Sequence, residues 1–80
     1  MSIEVAALRK VLGEVLPELP TDPAADLWEE GVMDSYAVVE VVSALEERFS
    51  ITFAPDDLRQ ENFASLEAIS RTLAAIRESS

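Results

Sequence analysis

The sequence predicts an all-α fold, a small four-helix bundle of three main helices and one short helix with a long first connection. Three observations carry this prediction. Apolar residues recur at helical spacing, not strand alternation, in three separate segments. Prolines 17, 20, 23 and 55 fall between those segments and not within them. The 80 residues, 49% of them apolar, suffice for one compact core but leave no room for a second, so residues 1–80 read as a single domain.

Ser2 can cap the first helix, with Glu4 in its opening turn against the helix dipole. Ile3, Ala7, Leu8, Val11, Leu12 and Val15 form its apolar face, while Glu4, Arg9, Lys10 and Glu14 fall on the other side. Gly13 within that pattern costs about 1 kcal/mol relative to Ala, too little to break it. Pro17, Pro20 and Pro23 end the helix and begin a connection that runs to about Asp34. Loops of that length are commonly functional, and Leu27 and Trp28 are its expected anchors on the core.

The second helix is read from Ser35 to about Phe49, with an apolar stripe of Val38, Val39, Val42, Leu45 and Phe49. Valine pairs at 38–39 and 41–42 could belong to a strand by propensity, but their spacing breaks a period of two and suits a helix. Ile51-Thr52-Phe53 reads as a short extended link. Pro55 near N1, followed by Asp56 and Asp57, opens a short third helix that ends near Glu61. Ser65 caps the last helix, whose face is Leu66, Ile69, Leu73 and Ile76, with Ala68 and Ala74 permitting close approach.

Composition narrows the chemistry. Sixteen acidic residues against six basic ones give a net charge of −10, which repels nucleic acid and anionic membranes and favours partners with basic patches. The absence of Cys and His excludes disulfides, thiolate or imidazole metal sites, and Ser–His or Cys–His nucleophile pairs. Any thiol chemistry must use an imported thiol. No apolar run approaches membrane-spanning length, and the N-terminus lacks the pattern of a secretory signal, so a cytoplasmic protein is expected.

One serine stands out. Ser35 lies in Glu30-Gly31-Val32-Met33-Asp34-Ser35-Tyr36, where the second helix begins and where helix polarity favours a phosphate group. An Asp-Ser pair alone also fits an ordinary N-cap serine; the capping-box Glu or Gln would fall at position 38, which is Val38. Ala44-Leu45-Glu46-Glu47-Arg48-Phe49, then Ile51-Thr52-Phe53 with Asp57-Leu58, Glu61-Asn62-Phe63 and Ser65-Leu66-Glu67-Ala68-Ile69, follow in order. Together these segments resemble the acyl carrier protein superfamily, which includes the peptidyl and D-alanyl carriers.

That resemblance implies that a phosphopantetheinyl transferase joins 4′-phosphopantetheine from coenzyme A to Ser35 as a phosphodiester. The thiol of the arm would then hold an acyl or aminoacyl group as a thioester. It implies that Asp34 supports magnesium at the incoming phosphate; the plain alternative is complementation of the helix dipole. Glu40, Glu46 and Glu47 match acidic positions read by basic partner enzymes, and Tyr36 is placed as an apolar contact for a partner beside the arm. Tyr36 and Ala37 stand where many relatives carry Leu and Asp, which argues against standard fatty-acid partners.

The resulting expectation is a freestanding, non-catalytic and monomeric carrier, loaded by an adenylating or other acyl-loading ligase and unloaded by acyl-transfer or synthase enzymes. Two residues, Val32 and Met33, separate Gly31 from Asp34, a spacing that resembles D-alanyl carriers and points to a small amino acid or hydroxyacyl cargo in a specialised or cell-envelope pathway. The competing class is an unmodified acidic module that binds a partner through the second helix. Asp22, Asp26, Glu29, Glu30 and Asp34 crowd one loop without the ligand spacing of an EF-hand, so calcium binding is a weaker third reading.

Overall fold

The computed structural model describes residues 5–16 and 18–79. Three α-helices, α1 (Val5–Leu12), α2 (Ser35–Phe49) and α3 (Leu66–Ser79), alternate with a long loop and a shorter link. The shorter link contains two 3-10 turns, Pro55–Asp57 and Gln60–Phe63. Helix α1 packs on both α2 and α3, and the second 3-10 turn packs on α3. The assembly spans 32 × 23 × 20 Å. No described helix is long and apolar enough to cross a membrane.

The core draws on every segment. Leu8 and Leu12 of α1, Leu27 and Met33 of the loop, Val41 and Leu45 of α2, Phe63, and Leu66, Ile69 and Leu73 of α3 are essentially inaccessible. Burial of such a side chain contributes about 1.5–3 kcal/mol. Phe53 and Phe63 meet at 5.8 Å between ring centroids, which ties the link to the core.

Helix α1 is shorter than its apolar pattern. Regular α-helix stops at Leu12, and the next bonds, Glu14 N–H to the Val11 carbonyl and Val15 N–H to the Leu12 carbonyl, tighten the chain to i→i+3. Gly13 therefore marks the end of the regular helix, and the helix does not run on to the prolines. Leu16 is buried beyond it, whereas Ala7, expected on the inner face, is exposed. The proposed cap at Ser2, with Ile3, Glu4 and Pro17, lies outside the described residues. The turn that follows α1 is joined to the last turn of α2 by an Arg48–Glu14 ion pair.

The stripe on α2 is rotated from the expected one. Val41 is fully buried and Val39 is 67% exposed, while Val38, Val42 and Phe49 are partly buried. Residues 38, 41, 42, 45 and 49 fall within a narrow arc at 3.6 residues per turn, and residue 39 lies about 100° from its centre. The helix closes at Ser50, which adopts a left-handed conformation (φ 53°, ψ 50°). Its N–H bonds the Glu46 carbonyl.

The predicted third helix is two separate turns. Leu58, exposed between them, leaves the helical region (φ −88°, ψ 56°), so the backbone cannot continue. Ile51 and Phe53 are buried and Thr52 exposed, in keeping with an extended link. On α3, Leu66, Ile69, Leu73 and Ile76 all face the core, and Ser65 Oγ accepts the Ala68 N–H at 3.1 Å as its cap.

Main-chain bonds fasten the long loop to the start of α3. Leu27 N–H donates to the Ala64 carbonyl at 2.7 Å, and Glu67 N–H donates to the Pro23 carbonyl at 3.1 Å. The Arg9 guanidinium adds a second anchor, bonding the Pro20 and Thr21 carbonyls at 2.7 and 3.0 Å. A loop of this length is thereby held against α1 and the start of α3.

Candidate functional site

The chain reaches Ser35 through a tight reversal. Gly31 takes φ 78°, a conformation open to glycine at little cost, and its N–H bonds the Trp28 carbonyl at 3.2 Å. The turn brings the N–H groups of Val32 and Met33 onto one acceptor, the Leu27 carbonyl, each at 3.0 Å. Leu27 and Met33 are buried, so both sides of the reversal are pinned to the core. The two residues between Gly31 and Asp34 thus carry the chain from the turn to the helix.

Asp34 is the N-cap of α2, with extended backbone (φ −149°, ψ −177°), and Ser35 is the first helical residue. The Asp34 carboxylate accepts the Ala37 N–H through Oδ1 at 2.7 Å, and its carbonyl accepts the Val38 N–H at 3.0 Å. The capping role weighed for Ser35 therefore belongs to its neighbour. Ser35 is exposed at the N-terminus of a 15-residue helix, beside the open-end N–H groups of Ser35 and Tyr36. An accessible hydroxyl with an anion-favouring helix end fits a phosphodiester at this position.

Three of the groups suggested for partner binding share one face of α2, and the fourth lies at its edge. Tyr36, Glu40 and Glu47 share a face with Val39 and Ser43 at helical spacing. Tyr36 is 75% exposed, and its phenol O–H bonds the Glu40 carboxylate. That hydrogen bond, then the negative charge of Glu40, then slight desolvation raise the phenol above its ordinary value near 10. A groove of about 420 Å³ runs along this face, lined by Val15, Val39, Glu40, Ser43, Ala44 and Glu47.

Glu46 borders this face, but its carboxylate is engaged. Its Oε2 accepts the Phe53 N–H at 2.9 Å, so this carboxylate ties the link back onto α2. Val39 and Ser43 are the surface residues that sequence reasoning missed. The signal was present in the period: a stripe drawn through Val41 excludes Val39.

The crowded acids of the long loop serve local turns. Asp22 Oδ1 accepts the Ala24 N–H at 2.9 Å, and Asp26 Oδ1 accepts the N–H groups of Trp28 and Glu29 at 3.0 and 3.2 Å. Among the described residues, no three such groups converge on a position that could hold a metal ion.

Comparison with known proteins gives these features a family. Residues 5–73 match the family described as "Phosphopantetheine attachment site". The chain is 34% identical over 76 residues to an aminoacyl carrier protein of Agrobacterium fabrum, with 89% of each chain covered. It is 30% identical over 69 residues to a D-alanyl carrier protein of Bacillus licheniformis, covering 84% of this chain and 88% of that one. A D-alanyl carrier protein of Bacillus velezensis is 43% identical over 44 residues, which span 52% of this chain and 56% of the relative.

The fold also superposes on a solved structure, with TM-score 0.75 and 33% identity, covering 89% of this chain and 99% of the other. That chain belongs to the crystal structure of an engineered Bradyrhizobium japonicum glycine:[carrier protein] ligase complexed with carrier protein from Agrobacterium tumefaciens and AMP. A related complex with ATP matches at TM-score 0.76 and 32% identity. The chain therefore belongs to the phosphopantetheine-attachment family, as a non-catalytic carrier whose prosthetic group is 4′-phosphopantetheine.

Proposed function

We propose that Ser35 is the attachment serine and that the single domain carries a small amino acid on the arm it bears. The observation that carries this reading is the placement of an exposed Ser35 hydroxyl at the first position of α2, directly after the Asp34 cap and inside the family-matched segment. A phosphopantetheinyl transferase would form the phosphodiester by attack of the Ser35 hydroxyl on the β-phosphate of coenzyme A, with 3′,5′-ADP leaving. Asp34 uses Oδ1 in the cap, and its role toward magnesium is assigned to the rest of the carboxylate during that reaction.

The aminoacyl and D-alanyl relatives, and the likeness to a chain crystallised with a glycine:[carrier protein] ligase, favour an amino acid over a long acyl chain as cargo. An ATP-dependent ligase would load it, and a cytoplasmic acyl-transfer or synthase enzyme would take it on. Such partners dock through basic patches on the α2 face that presents Tyr36, Glu40 and Glu47, with Glu46 at its far edge. The protein acts as a monomer in this scheme.

Intact mass after incubation with coenzyme A and a promiscuous transferase tests the reading. A gain of one phosphopantetheine unit is expected, and Ser35→Ala abolishes it. An unchanged mass with an active transferase would leave an unmodified acidic interaction module as the better description.

A further inference from the structure

The net charge of this chain is confined to one stretch of it. Residues 11–47 hold ten of the sixteen acidic residues and no Lys or Arg, so they account for the whole −10. The remainder is neutral. That stretch contains the long loop and nearly all of α2. The one cation of α2, Arg48, is paired with Glu14 of the turn after α1. The outer face of α2 therefore carries Glu40 and Glu47 with no cation of its own.

The same ion pair ties together the two elements that form the groove of about 420 Å³ on this face. Val15, from the turn after α1, lines it together with Val39, Ser43 and Ala44 of α2. Glu40 and Glu47 stand on one line of the helix, two turns or about 10 Å apart. Tyr36 and Val39 are the exposed large apolar side chains of α2. A β-branched residue loses rotamer freedom in a helix, and an exposed one regains nothing by burial. Folding does not account for Val39 there.

We propose that this groove is the docking seat of the loading ligase, an inference that rests on Ser35 bearing the arm. The segment that fits it carries one apolar side chain over Val39 and Val15. Two cations about 10 Å apart flank that side chain and meet Glu40 and Glu47. The apolar contact supplies affinity that salt does not screen, and the two carboxylates fix the register. The seat thus has two elements: a ligase that reads α2 also reads the turn after α1. Ser35 lies about 100° round the helix axis from Tyr36, so a partner seated in the groove leaves the arm free to enter its active site.

The full chain would first be given phosphopantetheine by a promiscuous transferase, with the gain verified by mass. Glycine transfer by the Bradyrhizobium japonicum glycine:[carrier protein] ligase is then measured against carrier concentration. Val39→Lys, at an exposed position, is expected to raise KM at least about tenfold with kcat within about twofold of wild type. Val15→Thr keeps the side-chain shape and is expected to raise KM about threefold, with thermal unfolding confirming the fold. Glu40→Gln with Glu47→Gln should remove most of the salt dependence of KM, and a dependence left intact overturns the paired cations. An unchanged KM in Val39→Lys overturns the seat, whether or not the Val15 variant folds. An effect of Val39→Lys without one of a folded Val15→Thr confines docking to α2 and overturns the groove. Failure of the pantetheinylated wild type to accept glycine overturns the ligase as occupant and leaves the Ser35 assignment standing. Failure of any mass gain overturns both.

Discussion

The Asp34 carboxylate holds the Ala37 amide N–H at 2.7 Å, and that single bond fixes which residue begins α2. Cap and neighbouring serine are therefore one unit. Asp34→Ala removes the acceptor and is expected to lower stability by about 1 kcal/mol in urea denaturation. Asp34→Asn keeps an acceptor and should leave stability nearly unchanged. If Asp34 also supports magnesium, the Asn variant still takes up phosphopantetheine at least tenfold more slowly in a mass-detected time course. Equal rates for wild type and Asn would confine Asp34 to capping.

Glu46 and Glu47 are adjacent but should behave oppositely. Glu46→Ala leaves the Phe53 N–H without its acceptor and is expected to cost about 1–2 kcal/mol. Glu47→Ala should fall within about 0.5 kcal/mol of wild type and act on partner affinity alone. Thermal unfolding of both variants, read beside ligase KM, separates the two effects. A stable Glu46→Ala variant would remove the structural role of that carboxylate.

Ser50 pays the cost of a left-handed conformation without the freedom of glycine. Ser50→Gly should stabilise the fold by about 1 kcal/mol, seen as a higher urea midpoint with an unchanged slope. A lower midpoint would mean that the Ser50 side chain contributes more than its backbone costs.

Tyr36 is the only tyrosine, so absorbance at alkaline pH follows its phenol directly. The midpoint is expected above 10, and Glu40→Gln should lower it by removing the charge and weakening the acceptor. The folded value is raised, so the stability this pair contributes is fully present below the unfolded phenol value near 10. It is lost as pH rises through the folded value. A midpoint unmoved by Glu40→Gln would show that the two side chains do not interact in solution.

The last helix was legible almost residue by residue, because its cap, Ser65, and its stripe, Leu66, Ile69, Leu73 and Ile76, depend only on local spacing. On α2 the period was legible but its phase was not. Four valines in five positions look alike by type, and only membership of the packed core distinguishes buried Val41 from exposed Val39. Val41→Ala should therefore cost about 2 kcal/mol, whereas Val39→Ala should be nearly neutral to stability.

Ser35 could be singled out because its meaning lies in a run of neighbours. The cap at Asp34 could be misplaced by one residue because Asp and Ser are both good N-caps. Leu27 was legible as an anchor of the long loop, but its attachment to the start of α3 was not. That attachment is made by bonds between residues far apart in the chain, such as Leu27 with Ala64.

Those same bonds set an order of events during synthesis. The segment that leads into Ser35 is secured by Ala64 and Glu67, which leave the ribosome well after the serine itself. A nascent chain that ends before α3 lacks these two bonds, and its loop is held by Arg9 of α1 alone. On the proposed assignment of Ser35, modification would thereby favour chains in which α3 is already in place.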